Sequence, residues 1–520
     1  MGGSQQDLSG PDFRAGVKLS EVPEGVATLG HVDGEAVIVV RRAGQTLAVG
    51  ATCTHYGGPL AEGLLDGDTV HCPWHHARFD LRTGEAIAAP AFRALPCWDV
   101  EQRDGALYVL SKKQLPSRAA AGKHPRSVVI VGGGAAGYAA AEMLRRDGYQ
   151  GTLTMLSAEP SGPVDRPNLS KDYLAGTAPE EWIPLAPPEF FVEQKIDLVV
   201  VPGAAASAID VAGKTVSTED GRSFPYDALL LATGSEPIRL DVPGADLPHV
   251  FTLRSLSDSR AIVERSKNAK RAVVIGASFI GLEVAASLRA RNLEVAVVGR
   301  EALPLAAVMG REIGAFVRAL HEEHGVVFHM ENTVRSISAE AVTLADGAVL
   351  PADLVVTGIG VRPRTALAEK AGLALDRGVV VDEFLQTSVA GVYAAGDIAR
   401  WPDPRSGQKL RVEHWVVAER QGQIAAKNIL GGRIPCSIVP FFWSQHYDVS
   451  ISYIGNAQKW DRTDVAGDVS QRDCTVALRA GAATLAVITI GRDQQSLKAE
   501  VAMERGDAEA LAAIGGKPLP

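Results

Sequence analysis

The chain has 520 residues, 46% hydrophobic and 22% charged, ordinary globular values at a length that accommodates three or four domains of about 100–200 residues. Its 52 basic and 61 acidic residues leave a formal charge of −9, which argues against an electrostatic nucleic-acid or membrane-surface binder. Five cysteines, Cys53, Cys72, Cys97, Cys436 and Cys474, are too few for a disulfide scaffold and suit a reducing compartment.

The opening MGGSQQDLSGPDF has neither the basic nor the apolar segment of a signal peptide, and nowhere do 18 apolar residues run together. The expectation is a soluble, cytoplasmic protein. Residues 1–115 read as all-β: EAVIVV (Glu35–Val40) and ALYVL (Ala106–Leu110) are short strand-like runs punctuated by DG and GG turns. Within this stretch Cys53-Thr54-His55 is followed, 16 residues on, by Cys72-Pro73-Trp74-His75. Two thiolates and two imidazoles suit a tetrahedral zinc ion or a [2Fe–2S] centre with Cys on one iron and His on the other. Mixed Cys/His half-sites on Gly- and Pro-rich loops, rather than on a helix, favour iron.

Spacing and context here resemble the Rieske family, and the resemblance implies Cys53, His55, Cys72 and His75 as cluster ligands. His71 and His76 flank the second half-site and are expected to be loop histidines near solvent. Gly58 and Trp74 stand where high-potential Rieske proteins carry an extra cysteine pair. Ala77 and Phe79 stand where those proteins carry hydroxyls bonded to the cluster sulfurs. Without such bonds, which raise the potential, a midpoint of about −150 mV is expected, at the low end of the Rieske range.

After a small, basic linker, PSRAAAGKHPR (residues 116–126), SVVIVGGGAAGYAAAEML (Ser127–Leu144) is echoed by AVVIGASFIGLEVAASL (Ala272–Leu288). Each reads as a buried strand, a Gly-rich turn and an Ala-rich helix, the opening of a nucleotide-binding βαβ unit. The chain is therefore expected to hold two nucleotides. In the first unit Gly132, Gly134, Ala135, Ala136 and Gly137 form the pyrophosphate turn at a helix N-terminus. Glu159, about 20 residues further on, is the candidate acceptor for ribose hydroxyls. In the second unit, Gly276, Ser278, Ile280 and Gly281, a serine replaces the second glycine. Beyond the next strand Glu301 would favour NADH, whereas Arg300 could meet the 2′-phosphate of NADPH; the reading leans to NADH.

Further segments appear in order: VDRPNLSKDYL (Val164–Leu174), LLLATGS (Leu229–Ser235), GIGVRPRTALA (Gly358–Ala368), GVYAAGDIA (Gly391–Ala399), RVEHWVVAERQGQIAAKNILG (Arg411–Gly431) and PFFWSQHYD (Pro440–Asp448). They resemble the ferredoxin reductases of the FAD/NAD-linked glutathione-reductase superfamily. The resemblance implies FAD against Arg166, Lys171, Ala232, Thr233, Gly234, Asp397, Glu413, His414, Trp415 and Trp443, with Gly360 in the loop closing the nicotinamide domain. It also implies a Lys171–Glu283 ion pair beside flavin N5, ordering the nicotinamide for hydride transfer. No C-x-x-C or C-x₄-C pair is present for disulfide reduction, and no nucleophile elbow. Cys97, Cys436 and Cys474 read as buried apolar residues.

The fold class expected is multidomain: an all-β Rieske domain (1–115), then α/β Rossmann-like domains of glutathione-reductase type for FAD (127–247 and 369–439) and NAD(P) (248–368), and a small α+β C-terminal domain (440–520). No catalytic group is legible in the last of these. Together they resemble the Rieske-fused, apoptosis-inducing-factor-like oxidoreductases. That implies an enzyme taking electrons from NADH through FAD to its own [2Fe–2S] cluster and on to an unknown one-electron acceptor. A low-turnover redox-sensing protein and the reductase component of a ring-hydroxylating oxygenase remain alternatives. Monomer or homodimer is expected, with no nucleic-acid or membrane partner.

Overall fold

A computed structural model describes residues 8–114, 124–200 and 205–514; the linker expected over 116–126 lies outside them as far as residue 123. The N-terminal strand-forming runs make a six-stranded sheet in the order Val17–Lys18, Ala106–Lys112, Cys97–Arg103, Gln45–Gly50, Glu35–Arg42, Ala27–Val32. A four-stranded sheet, Leu64–Asp66, Thr69–His71, Arg78–Asp80 and Ala86–Ala88, lies beside it. The central run is apolar without a break because it is covered on both faces. The two-residue period of a strand sends Val37 and Val39 into one core and Ala36, Ile38 and Val40 into the other. The second core also holds Cys53 and Cys72, so the candidate ligand loops rest on packed apolar side chains.

The echoed motif folds twice in the same way. In the first unit β1 (Ser127–Val131), α1 (Ala135–Arg146) and β2 (Thr152–Ser157) open a five-stranded parallel sheet in the order Ile196–Val200, β2, β1, Ala228–Leu231, Val392–Ala394. In the second, β3 (Arg271–Ile275), α2 (Phe279–Ala290) and β4 (Glu294–Val298) belong to a sheet ordered Val250–Thr252, Leu354–Thr357, β3, β4, Val326–His329, again parallel throughout. Residues 128–131 and 272–275 are buried at every position, as expected of parallel strands covered on both faces. The long α3 (Ala306–Glu323) follows β4, and the chain then returns to the first unit with α4 (Trp415–Ile429), which packs on α1. Gly422 on α4 makes that approach possible, since a Cβ there would lie 2.2 Å from the Ala136 carbonyl oxygen.

The C-terminal region is an antiparallel sheet, β5 (Phe441–His446), β6 (Val449–Gly455), Ala483–Ile490, Asp473–Ala480 and Arg462–Asp468, backed by α5 (Asp493–Arg505). β5 is its edge strand and lies where all three regions meet. Among the described residues no helix is long and apolar enough to cross a membrane.

Candidate redox site

Two tight loops present the four candidate ligands. Cys53 N–H donates to the Gly58 carbonyl at 2.9 Å and Cys72 N–H to the Ala77 carbonyl at 2.8 Å, closing each loop on itself. The Cys53 and Cys72 side chains are buried and unbridged, and the two imidazoles stand edge to face, 5.0 Å between ring centres. Burial pushes His55 down to about 3, so its ring is neutral, and its Nδ1 is buried with no partner. The Cys53 thiol, and then the Trp74 and His75 amides, hold the Cys72 thiol below its ordinary value despite burial. A neutral imidazole and a thiolate are the forms that bind metal.

The donor set decides between the two metals left open above. Among the described residues no three His, Cys, Asp or Glu side chains gather about one point, as a tetrahedral zinc would require. A two-iron cluster asks each iron for only two protein ligands, and two thiols opposite two imidazoles fit it. Gly58 leaves room beside the sulfur, since a Cβ there would stand 2.7 Å from Cys72 Sγ and 3.2 Å from the Trp74 ring. Gly58→Ala is therefore expected to lower bound iron and the reduced-cluster EPR signal; full iron content would refute the cramped cradle.

The flavin candidates surround a cavity of about 470 Å³ that runs into a second of about 690 Å³. Gly134, Arg166, Ala232, Gly234's neighbour Thr233 and Arg254 lie along this path, with Gly132 and Glu159 at the far end. Ala135, Ala136, Gly234, Asp397, Glu413, His414, Trp415 and Trp443 line the near cavity. The turn between β1 and α1 needs glycine: a Cβ on Gly137 would lie 1.9 Å from the Gly132 carbonyl oxygen. Three polar atoms along the path are buried without a partner, Arg166 Nε, Glu159 Oε2 and His414 Nδ1. Buried polar groups are otherwise satisfied, so these orphans fit a polar cofactor such as FAD. Arg166 pairs with Glu159, whose second carboxylate oxygen is the buried, unpartnered one. Arg254, which bonds Asp397 at 2.8 Å, carries no motif and was not expected here.

Lys171 and Glu283 meet at 2.9 Å, both facing the near cavity. Glu283, on α2 and only 3% exposed, also accepts from Ser170 Oγ at 2.6 Å and from Ser444 Oγ at 2.6 Å. In the second unit Ser278, Ile280 and Gly360 line the same cavity, while Gly276 and Gly281 shape the β3–α2 turn. The Ser278 hydroxyl donates to the Gly358 carbonyl at 2.8 Å, which turns it away from the phosphate path. Glu301 is exposed just beyond β4. Arg300 borders a small recess together with Glu331 and Asp346.

Strand β5 connects these sites. Its odd positions face the N-terminal domain: the Phe441 ring stacks on His76 at 3.8 Å, and Trp443 lies 4.2 Å from His75. Its even positions face the nucleotide domains: Ser444 reaches Glu283, and His446 reaches His321 on α3. Trp443 thus touches a candidate cluster ligand while lining the flavin cavity. The expectation that His71 and His76 lie near solvent is wrong. Both are buried, at 2% and 0% exposure, because the C-terminal domain closes over them. His76 bonds Glu500 Oε2 at 2.7 Å and Ser496 Oγ at 2.9 Å, both on α5. Glu500 in turn holds Arg420 of α4 at 2.5 Å and Arg78 at 3.1 Å. The C-terminal region, which shows no catalytic group in its sequence, therefore supplies Trp443, Ser444 and the Glu500 clamp. FFWSQH runs from three aromatic to three polar residues, so no alternation in it signals these two faces. Cys97, Cys436 and Cys474 are buried.

The model of the family described as "Pyridine nucleotide-disulphide oxidoreductase" matches residues 126–422, that of the Rieske [2Fe-2S] domain residues 15–99, and that of the reductase C-terminal domain residues 441–516. Apoptosis-inducing factor 3 of Homo sapiens is 33% identical over 478 residues, covering 88% of this chain and 78% of that protein. The anthranilate 1,2-dioxygenase system ferredoxin–NAD(+) reductase component of Burkholderia cepacia is 34% identical over 399 residues, 75% of this chain and 95% of its own. A crystal structure of the covalent putidaredoxin reductase–putidaredoxin complex superposes with a TM-score of 0.70 at 34% identity, over 73% of this chain and 93% of that one. With a two-ligand-per-iron cradle in one domain and a flavin cleft in the next, this chain belongs to the pyridine nucleotide-disulphide oxidoreductases, as a ferredoxin-reductase-like NAD(P)H oxidoreductase of FAD with a Rieske [2Fe–2S] domain of its own.

Proposed function

We propose that the enzyme is an NADH oxidoreductase that supplies its own Rieske cluster within one chain and hands electrons on singly to an acceptor. The Trp443 ring, 4.2 Å from His75 and on the wall of the flavin cavity, is the observation that carries this reading. When bound, FAD takes up a hydride and releases its electrons singly, and the cluster carries one at a time. Arg166, Arg254 and the β1–α1 turn hold the pyrophosphate side, with Glu159 at the ribose. Lys171, fixed by Glu283 and passing 6.0 Å from the Trp443 ring centre, positions the nicotinamide. Cys53 and Cys72 take one iron, and His55 and His75 the other. The structural relative named above pairs a reductase with a separate putidaredoxin; here the tethered domain takes that place and keeps donor and acceptor at high effective concentration.

Anaerobic mixing with NADH, followed by absorbance and EPR, tests the reading. Flavin bleaching and cluster reduction are expected with a rate independent of protein concentration; a rate proportional to concentration would mean transfer between chains. Trp443→Ala is expected to slow cluster reduction while leaving bleaching near its normal rate, and equal cluster reduction in wild type and Trp443→Ala would remove Trp443 from the path. Two carboxylates beside Arg300 disfavour a 2′-phosphate, which supports NADH over NADPH in a comparison of kcat/KM. The cluster midpoint is expected near −150 mV, because Ala77 and Phe79 offer its sulfurs no hydroxyl; potentiometric EPR titration measures it.

A further inference from the structure

A line of hydrogen bonds leaves Glu283 on the side away from the cluster. Ser444 Oγ donates to Glu283 Oε1 at 2.6 Å and meets His446 Nε2 at 3.1 Å. His446 Nδ1 meets His321 Nε2 at 3.2 Å, and His321 Nδ1 meets the Tyr447 hydroxyl at 3.3 Å. Glu283, Ser444, His446 and His321 are all buried, whereas Tyr447 is half-buried beside exposed Asp448. The line thus runs from the floor of the catalytic cavity to the half-buried Tyr447, through three elements that no motif connects.

The hydrogens along it can be assigned. The one hydrogen of Ser444 is committed to Glu283, so His446 Nε2 must donate to the serine oxygen. Burial pushes His446 to about 3 and His321 to about 2, so each ring carries a single N–H. His446 Nδ1 then accepts from His321 Nε2, and His321 Nδ1 accepts from Tyr447. Every link has one donor and one acceptor, all pointing the same way. Neutral imidazoles bonded at both nitrogens pass a proton by taking it at one nitrogen and releasing it at the other. A satisfied buried network needs no such continuity from the cavity to a half-buried hydroxyl.

We propose that Glu283, Ser444, His446, His321 and Tyr447 form the proton exit of the enzyme. This rests on the reading that a hydride arrives and electrons leave singly. NADH gives up one hydride, which is one proton and two electrons; the two electrons go to the acceptor, and one proton per nicotinamide must reach solvent. As the electrons leave, the bond that the hydride made to its acceptor breaks and its proton goes to Glu283 Oε1, which gives it to Ser444 Oγ while the serine passes its own hydrogen to His446 Nε2. His446 Nδ1–H passes to His321 Nε2, His321 Nδ1–H to the Tyr447 oxygen, and the phenol hydrogen to water. That passage leaves hydrogens on Ser444 toward Glu283, on both Nε2 atoms and on Tyr447, the arrangement assigned above. The assigned hydrogens are therefore those of the discharged state, and turning of the hydroxyls with return of both imidazoles to the Nδ1–H tautomer readies it again.

Two measurements test the exit. In ¹⁵N-histidine NMR of the resting protein, His446 and His321 are expected to be neutral with hydrogen on Nε2; a proton on Nδ1 or a charged ring overturns the assignment. In stopped flow with a pH indicator, with ferricyanide as one-electron acceptor, wild type is expected to release one proton per NADH in step with flavin reoxidation. His446→Gln keeps hydrogen bonds on both sides but cannot relay a proton. It is expected to slow proton release and reoxidation together by roughly 100-fold, with flavin bleaching by NADH within about twofold of wild type. A glutamine variant reoxidised at the wild-type rate would reduce the line to packing, and so would equal slowing of both half-reactions. Failure of the intrachain electron path is separate: it would show as an oxidised cluster in wild type while ferricyanide still reoxidises the flavin.

Discussion

Glu500→Ala is expected to destabilise the protein by about 3–5 kcal/mol, the range found when one partner of a buried ion pair is removed. Glu500 is fully buried and holds Arg420 of the FAD domain, His76 and Arg78 of the Rieske domain, and does so from the C-terminal helix α5. Its removal leaves the buried Arg420 guanidinium without its carboxylate, while Arg78 keeps Glu504. Because the clamp joins three regions, the loss is expected to appear as an early, separate melting step of the Rieske domain in calorimetry. His75 then leaves Trp443, and NADH-driven cluster reduction falls while flavin bleaching persists. A single unshifted transition with normal cluster reduction would show that the domains are held together by apolar contacts such as Phe441 on His76 alone.

Glu283→Ala is the second large effect. Three donors, Lys171 Nζ, Ser170 Oγ and Ser444 Oγ, converge on this carboxylate. Hydrogen bonds to a charged partner contribute about 1.5–3 kcal/mol each, and loss of the one that fixes Lys171 corresponds to roughly a 10- to 150-fold slower hydride step. Single-turnover bleaching of the flavin by NADH reads this directly. Lys171→Met is expected to slow the same step while leaving Ser444 and its line of hydrogen bonds in place. Slow bleaching in Glu283→Ala with normal bleaching in Lys171→Met would show that Glu283 acts on the hydride step other than through Lys171, since the proton line bears on reoxidation alone.

Much of this site is visible in the sequence because its chemistry is local. Cys53-Thr54-His55 and Cys72 to His75 each close a loop through a backbone bond within six residues of the cysteine, so spacing alone brings thiol and imidazole together. The Gly132–Gly137 turn is likewise dictated by backbone crowding between neighbours. Lys171 and Glu283 are 112 residues apart, and only their resemblance to known reductases paired them. His76 and Glu500 are 424 residues apart; no spacing rule reaches that far, and a histidine beside a ligand loop reads as exposed until a helix is known to cover it.

The cofactor set and the order of domains are legible in the chain itself, because cluster loops and phosphate turns are built from contiguous residues whose backbone geometry is specified on the spot. How the three regions meet at the candidate sites emerges only from packing across the whole chain. Strand β5 places Phe441 and Trp443 against the Rieske domain, and Ser444 and His446 against the reductase. A strand turns successive side chains to opposite faces, so β5 presents two faces. Which domain each face meets is fixed by where the remaining chain packs.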